Sequence, residues 1–141
     1  MADSKHSIPA SGASPNADFP DTLGVWVAHR AAWAAAKHLV ADTKATWEAF
    51  DADHMKPLYD AHERGEIDTS EVHKIERQSA LLASVHSKAV NAMTFIPAPS
   101  LAALHWKITT AKADSLFDGE TVCVSAIDAI LADVARLGGL A

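Results

Sequence analysis

Between Gly24 and Pro57 the chain contains neither glycine nor proline, and in that stretch Trp26, Trp33 and Trp47 recur in a seven-residue register, with Val40 in the vacant place and His54 in the next. A spacing of seven keeps side chains on one stripe of an α-helix, so these indoles line a single seam of one long helix. The companion positions, three residues on, are His29, Ala36, Thr43 and Phe50. Bulky tryptophans thus alternate with mostly small neighbours, a pattern that admits close approach by a partner helix. No alternation at period two competes with it, and much of the apolar content is alanine, the best helix former, so the chain reads as all-α.

Punctuation divides the helices. Asp21 or Thr22 can cap the first, with Pro20 tolerated at its entrance, and the helix is expected over about residues 22–64, kinked or ended by Pro57. Gly65-Glu66-Ile67-Asp68 marks a hairpin tip, and Thr69 or Ser70 is the expected cap of a second helix over about 70–94. The second helix carries Val72, Ile75, Ser79, Leu82, His86, Ala89 and Met93 at alternating spacings of three and four. Folding back around the tip sets side by side residues whose numbers sum to roughly 132, which brings Trp47 to Val85 or His86. Trp33 would need a partner near residue 99, beyond the end of the second helix. The half of the first helix bearing Trp26 and Trp33 must therefore be covered by later parts of the chain or by a second copy.

Two prolines within Thr94-Phe95-Ile96-Pro97-Ala98-Pro99-Ser100 break the chain before a serine placed to cap a third helix, about 101–116. Its inner face is expected from Leu101, Leu104, Ile108 and Ala111, with Trp106 off that stripe. Asp118-Gly119 opens a fourth helix, about 120–137, whose Cys123, Ile127, Ile130, Val134 and Leu137 share a face. These two shorter helices are the natural cover for the unpartnered tryptophans. Residues 1–20, rich in proline, serine and alanine, form an expected flexible tail ahead of a single helical domain at 21–141.

The succession of a long Trp- and Ala-rich hairpin, the Thr94–Lys107 segment and a helix closing on Ala132-Asp133-Val134-Ala135-Arg136-Leu137 resembles a group of small alphaproteobacterial α-helical proteins, several of prophage or genomic-island type. The resemblance covers residues 22–138 and implies the fold and a bacterial origin. Where those proteins have Thr-Pro-Ala this chain has Ile96-Pro97-Ala98, and His105 replaces a small residue. It implies no activity.

Composition narrows the function classes. A net charge of −6 disfavours broad binding to a phosphate backbone. One cysteine excludes an internal disulfide and fits a reducing, cytoplasmic setting. The amino-terminal residues lack the apolar run of a secretory signal, and nothing approaches the roughly 20 apolar residues of a membrane span, so a soluble, unprocessed protein is expected.

Eight histidines raise the question of a metal. Asp51-x-x-His54 and His73-x-x-Glu76 each place a carboxylate and an imidazole on one helix face, but the hairpin register offsets His54 from His73 by about 7 Å, and the second motif is reversed. His62, Glu63 and His73 lie nearer one another at the tip. His29 and His86 occupy seam positions, where a buried neutral imidazole with a hydrogen-bond partner is expected and where protonation would loosen the packing. Cys123 lacks the base and electropositive setting of a nucleophile and is expected to fill space. Nucleophile elbows, phosphate-cradling loops and dinucleotide fingerprints are absent from the sequence, so no catalytic residue, metal or cofactor is assigned.

Arg30, Lys37 and Lys44 repeat at seven beside the tryptophan seam and are expected to meet acids such as Glu71 or Glu76, or those of a second chain. These features point to a non-enzymatic protein-interaction or self-assembly module, with Trp26, Trp33, Val40 and Trp47 as the candidate interface. A homo-oligomer is the first expectation. A metal-binding hairpin and a nucleic-acid-associated accessory factor are the alternatives.

Overall fold

A computed structural model describes residues 22–118 and 123–139, with side chains from Val27 onward. The expected tail, the Asp21 cap, the Trp26 side chain and Gly119 lie outside them. The described residues form helices joined by turns and no strand, as the sequence predicts.

Helix α1 (Thr22–Phe50) runs through one wide π-type turn (Asp51–Met55) directly into α2 (Lys56–Glu63). Pro57 therefore neither ends the helix nor breaks it. The Lys56 amide reaches back five residues to the Asp51 carbonyl, and this widened turn makes room for the proline ring one position later. At the tip Gly65 takes a positive φ of 71°, and the Glu66 amide bonds the Ala61 carbonyl at 2.9 Å, a closure that a side chain at Gly65 would strain.

Helix α3 (Thr69–Thr94) starts one residue before its expected first residue, and its cap is neither Thr69 nor Ser70. Asp68, in extended conformation, accepts from the Ser70 and Glu71 amides at 2.8 and 3.0 Å, so Thr69 and Ser70 are helical residues and not the cap. The carboxylate is the stronger acceptor and faces the positive end of the helix dipole. Ser100 caps α4 (Leu101–Ala113) as expected, its Oγ accepting from the Ala103 amide at 3.1 Å. Helix α5 (Val124–Leu137) completes the set.

The hairpin register holds to within one helical turn: Thr43 meets His86, Asp51 meets Ser79 and Tyr59 meets Glu76. Beyond the end of α3, the later helices supply the missing cover. Trp33, Val40, Ala89, Val90, Met93, Ala98, Leu104 and Ile130 make one core, with Trp106, Ile108 and Leu137 packed against it. Helix α4 lies on α3 and α5, and it meets α1 through side chains: the Trp106 ring stands edge-on to Trp33, centroids 5.8 Å apart.

Two inner faces differ from the expected ones. On α4, Leu101 is 67% exposed and Trp106 turns inward, because Lys107 joins Leu104 and Ala111 on the buried side. On α5 the buried residues are Ala126, Ile130 and Asp133, so Val134 is exposed and Ile127 half-buried. Cys123 precedes the helix, half-buried, with its Sγ 3.7 Å from Asn91 Oδ1. The helix is rotated from its most apolar orientation by the polar bonds of Asp133.

Candidate functional site

Two polar clusters lie against the core, and they differ in how completely they are satisfied. The first ties α4 and α5 to the proline-rich linker. Lys107, 1% exposed, donates to the Thr94 and Ile96 carbonyls and to Asp133 Oδ2. Asp133 also accepts from the Ala98 amide, 3.2 Å from each oxygen, and from Arg136 at 2.9 Å, while Arg136 donates to the Ala98 carbonyl. Prolines at 97 and 99 prevent the linker from satisfying its own carbonyls by helix, and these two cations do so instead. Burial pushes the Lys107 ammonium below its ordinary range; the hydrogen bond and charge of Asp133 oppose that shift, and Arg136 adds to it. With all three donors engaged, this lysine is a structural tie.

The sequence reading missed this cluster, although a signal was present. Leu104, Lys107 and Ala111 share one helix face, as do Ile130, Asp133 and Leu137, so opposite charges stand at apolar positions of successive helices.

The second cluster sits where α1, α3 and α4 meet. Trp47, half-buried, donates from Nε1 to Ser79 Oγ at 3.1 Å, and Ser79 donates to Asp51 at 2.6 Å. The Trp47 ring lies 6.1 Å from the His86 ring, tilted by 35°, which is the contact the register predicts. His86 is buried and holds Nδ1 3.1 Å from Thr43 Oγ1. Thr43 donates its proton to the Leu39 carbonyl at 2.8 Å, which leaves its oxygen to accept from Nδ1–H. On the other side of the ring, His86 Nε2 lies 3.8 Å from Asp114 Oδ1. Ser87 donates to the same oxygen at 3.3 Å, and Asp114 Oδ2 is buried with no partner among the described residues.

Beside this dyad a groove of 570 Å³ opens between α1 and α4, walled by Trp47 and Trp106 and lined by Val40, Ala41, Lys44, Thr110 and Ala113. At its α4 end Ser115 takes a φ of 59°, and the Leu116 amide closes on the Ala111 carbonyl, a helix stop that glycine ordinarily fills. The groove is the candidate functional site.

The four residues expected to form an interface separate. Trp33 and Val40, 7% and 4% exposed, are covered by the chain's own helices, with Val40 at the edge of the groove. Trp47 lines the groove, and Trp26 lies outside the described side chains. The basic edge also differs from expectation: Lys37 stands over the Trp106 ring at 5.2 Å and Lys44 is 3.7 Å from Glu48 on its own helix, so neither pairs with Glu71 or Glu76. His54 packs on Phe50 at 4.6 Å, while His73 Nδ1 lies 3.1 Å from Glu76, which also accepts from Tyr59 at 2.7 Å. His62 is exposed at the tip and His29 half-buried on the seam. Among the described residues no three metal-binding side chains gather at one point, and none of the helices is long and apolar enough to cross a membrane.

No protein-family profile, curated protein or solved structure matches this chain.

Proposed function

We propose that this protein is a non-enzymatic, cytoplasmic self-assembly module, and that two copies associate through the open side of the α1–α3 hairpin. The single observation that carries the reading is the exposed apolar stripe on α3, where Leu81 is 67% and Val85 52% exposed, with Leu39 of α1 53% exposed. Lys37 and Ala41 mark the side of α1 turned toward α4, and Leu39 lies two residues from each, about 200° around the helix. Ser87 likewise marks the α4 side of α3, and Val85 lies two residues before it. Both helices thus present apolar residues away from α4, with exposed Ala28, Ala32 and Ala35 permitting close approach.

A second copy of the chain fits this surface by charge. Asp42 follows Leu39 by one turn on α1, whereas Arg77 and Lys88 bracket Leu81 and Val85 on α3. A two-fold contact that lays α1 of one copy over α3 of the other sets Asp42, which also lies 2.8 Å from His38 on its own helix, against Arg77 and Lys88 at its rim. The interface therefore differs from the tryptophan seam expected from sequence.

Light scattering on the full chain across micromolar concentrations is the test. A dimer that Val85→Glu converts to a monomer, with unchanged circular dichroism, is the expected result. A monomeric parent protein at those concentrations overturns the reading.

A further inference from the structure

The structure assigns a second cavity, between the proline-rich linker and α5, as a binding site for a small organic carboxylate with a compact apolar body, held by Arg136 against Phe95, Ala129 and Ala132. None of its lining residues belongs to the α1–α4 groove or to the proposed association surface.

The two walls are fixed relative to each other. Thr94, Phe95 and Pro97 form one side, and Ala129, Ala132 and Arg136, spaced by three and four along one stripe of α5, form the other. The Ala98 amide bonds both oxygens of Asp133 while the Ala98 carbonyl accepts from Arg136, so a single linker residue is tied to α5 through both of its backbone groups. Two alanines leave a shelf where larger side chains would stand. At 260 Å³ the cavity lies just below the roughly 300–1,000 Å³ of drug-sized sites, which suits a ligand of one ring or a short branched chain. Phe95 is 49% exposed and Ala132 is exposed, so the mouth reaches solvent.

The balance of charges and donors selects an anion. Lys107 and Arg136 stand against the single carboxylate of Asp133, which leaves the lining with an excess positive charge. Asp133 has both oxygens engaged, and the Thr94 carbonyl is taken by Lys107. A cation therefore meets like charge and an occupied carboxylate. Lys107 uses all three of its donors, to Thr94, Ile96 and Asp133. Arg136 differs, because both of its bonds leave from Nη2, and its Nε and Nη1 have no partner among the described residues.

Those two nitrogens are within reach. Among the described residues Asp114 Oδ2 is the buried side-chain atom that lacks a partner, so neither Nε nor Nη1 of Arg136 is sealed from solvent, and the side chain as a whole is 19% exposed. The Nη2 bonds already hold the guanidinium in place, so little side-chain freedom remains to be lost on binding. A carboxylate oxygen on Nε or Nη1 gains a charge-assisted hydrogen bond that a neutral amide does not. Its apolar body then covers the two alanines and the exposed face of Phe95.

Benzoate is the probe, with neutral benzamide and cationic benzylamine as controls of similar size, titrated into the full chain and followed by the amide signals of Ala129 and Ala132 and the Nε–H signal of Arg136. Benzoate is expected to bind at least tenfold more tightly than either control and to move these signals before those of the α1–α4 groove. Arg136→Gln should weaken benzoate at least tenfold. Ala132→Phe, at an exposed position, fills the shelf and should abolish binding without altering the circular dichroism. If loss of the Arg136 ties unfolds the first variant, the ranking of the three probes and the second variant decide. Benzamide binding as tightly as benzoate, signals that stay still or move only elsewhere in the molecule, or undiminished binding to Ala132→Phe would each overturn the assignment.

Discussion

Asp133 and Asp114 are both carboxylates drawn into the packing around α3, with side chains 5% and 12% exposed, yet their surroundings are opposite. Asp133 receives a backbone amide, a lysine and an arginine, and both of its oxygens are used. Asp114 accepts from one serine hydroxyl at 3.3 Å, lies 3.8 Å from His86 Nε2 and keeps one oxygen without a partner among the described residues. A buried charge whose bonds are complete holds elements together, and one whose bonds are incomplete costs free energy where it sits. The closed cluster fixes where α4 and α5 lie, and their position leaves the open cluster at the edge of a groove.

The largest expected effects fall on the closed cluster. Lys107→Met takes from Asp133 its most deeply buried partner and orphans the Thr94 and Ile96 carbonyls, so urea unfolding should show a loss of about 3–5 kcal/mol. Replacing both partners, Lys107→Met with Asp133→Leu, should not restore stability, because the linker's backbone groups remain unpaired. Asp114→Ala should instead lie within about 1 kcal/mol of the parent protein, since it removes an unsatisfied group. A loss at Asp114 as large as that at Lys107 would erase the distinction between the clusters.

The same contrast explains what was legible in the sequence. The tryptophan register fixed the long helix, the hairpin and the meeting of Trp47 with His86, because apolar periodicity and turn residues act locally. The need for cover over Trp33 was also legible, and α4 and α5 provide it. The inward turn of Trp106 and the rotation of α5 were not, because each follows from Lys107 and Asp133 finding one another across 26 residues and from linker carbonyls that only the folded chain brings to them. Nor was the groove, which depends on how far α4 stands from α1.

Trp33 and Trp47 sharpen the comparison at the level of packing. Trp33→Ala removes a buried indole from the core and should cost about 3–5 kcal/mol. Trp47→Ala, at a half-buried position on the groove wall, should cost roughly 1–3 kcal/mol in the same assay. Equal losses would mean that the groove is closed in solution. Ser115→Gly tests the helix stop beside Asp114. Glycine accepts the positive φ without strain, so unfolding should show a gain of roughly 0.5–1 kcal/mol.

The smallest effect concerns the other end of the hairpin, where a third carboxylate is exposed and still accepts two backbone amides through Oδ1. The backbone hydrogen bond from Glu71, followed by the bonds from Ser70, holds the Asp68 carboxyl below its ordinary value. A carboxyl whose value is lower in the folded than in the unfolded chain binds its proton less readily when folded. Its contribution is therefore complete above the ordinary carboxylate range, near 3.8, and is lost as pH falls through the lowered value. Asp68→Ala should lower Tm modestly at neutral pH, and the gap between variant and parent should close on acidification below pH 3.8. A gap that persists under acid would show that Asp68 acts through the shape of the tip and not through its charge.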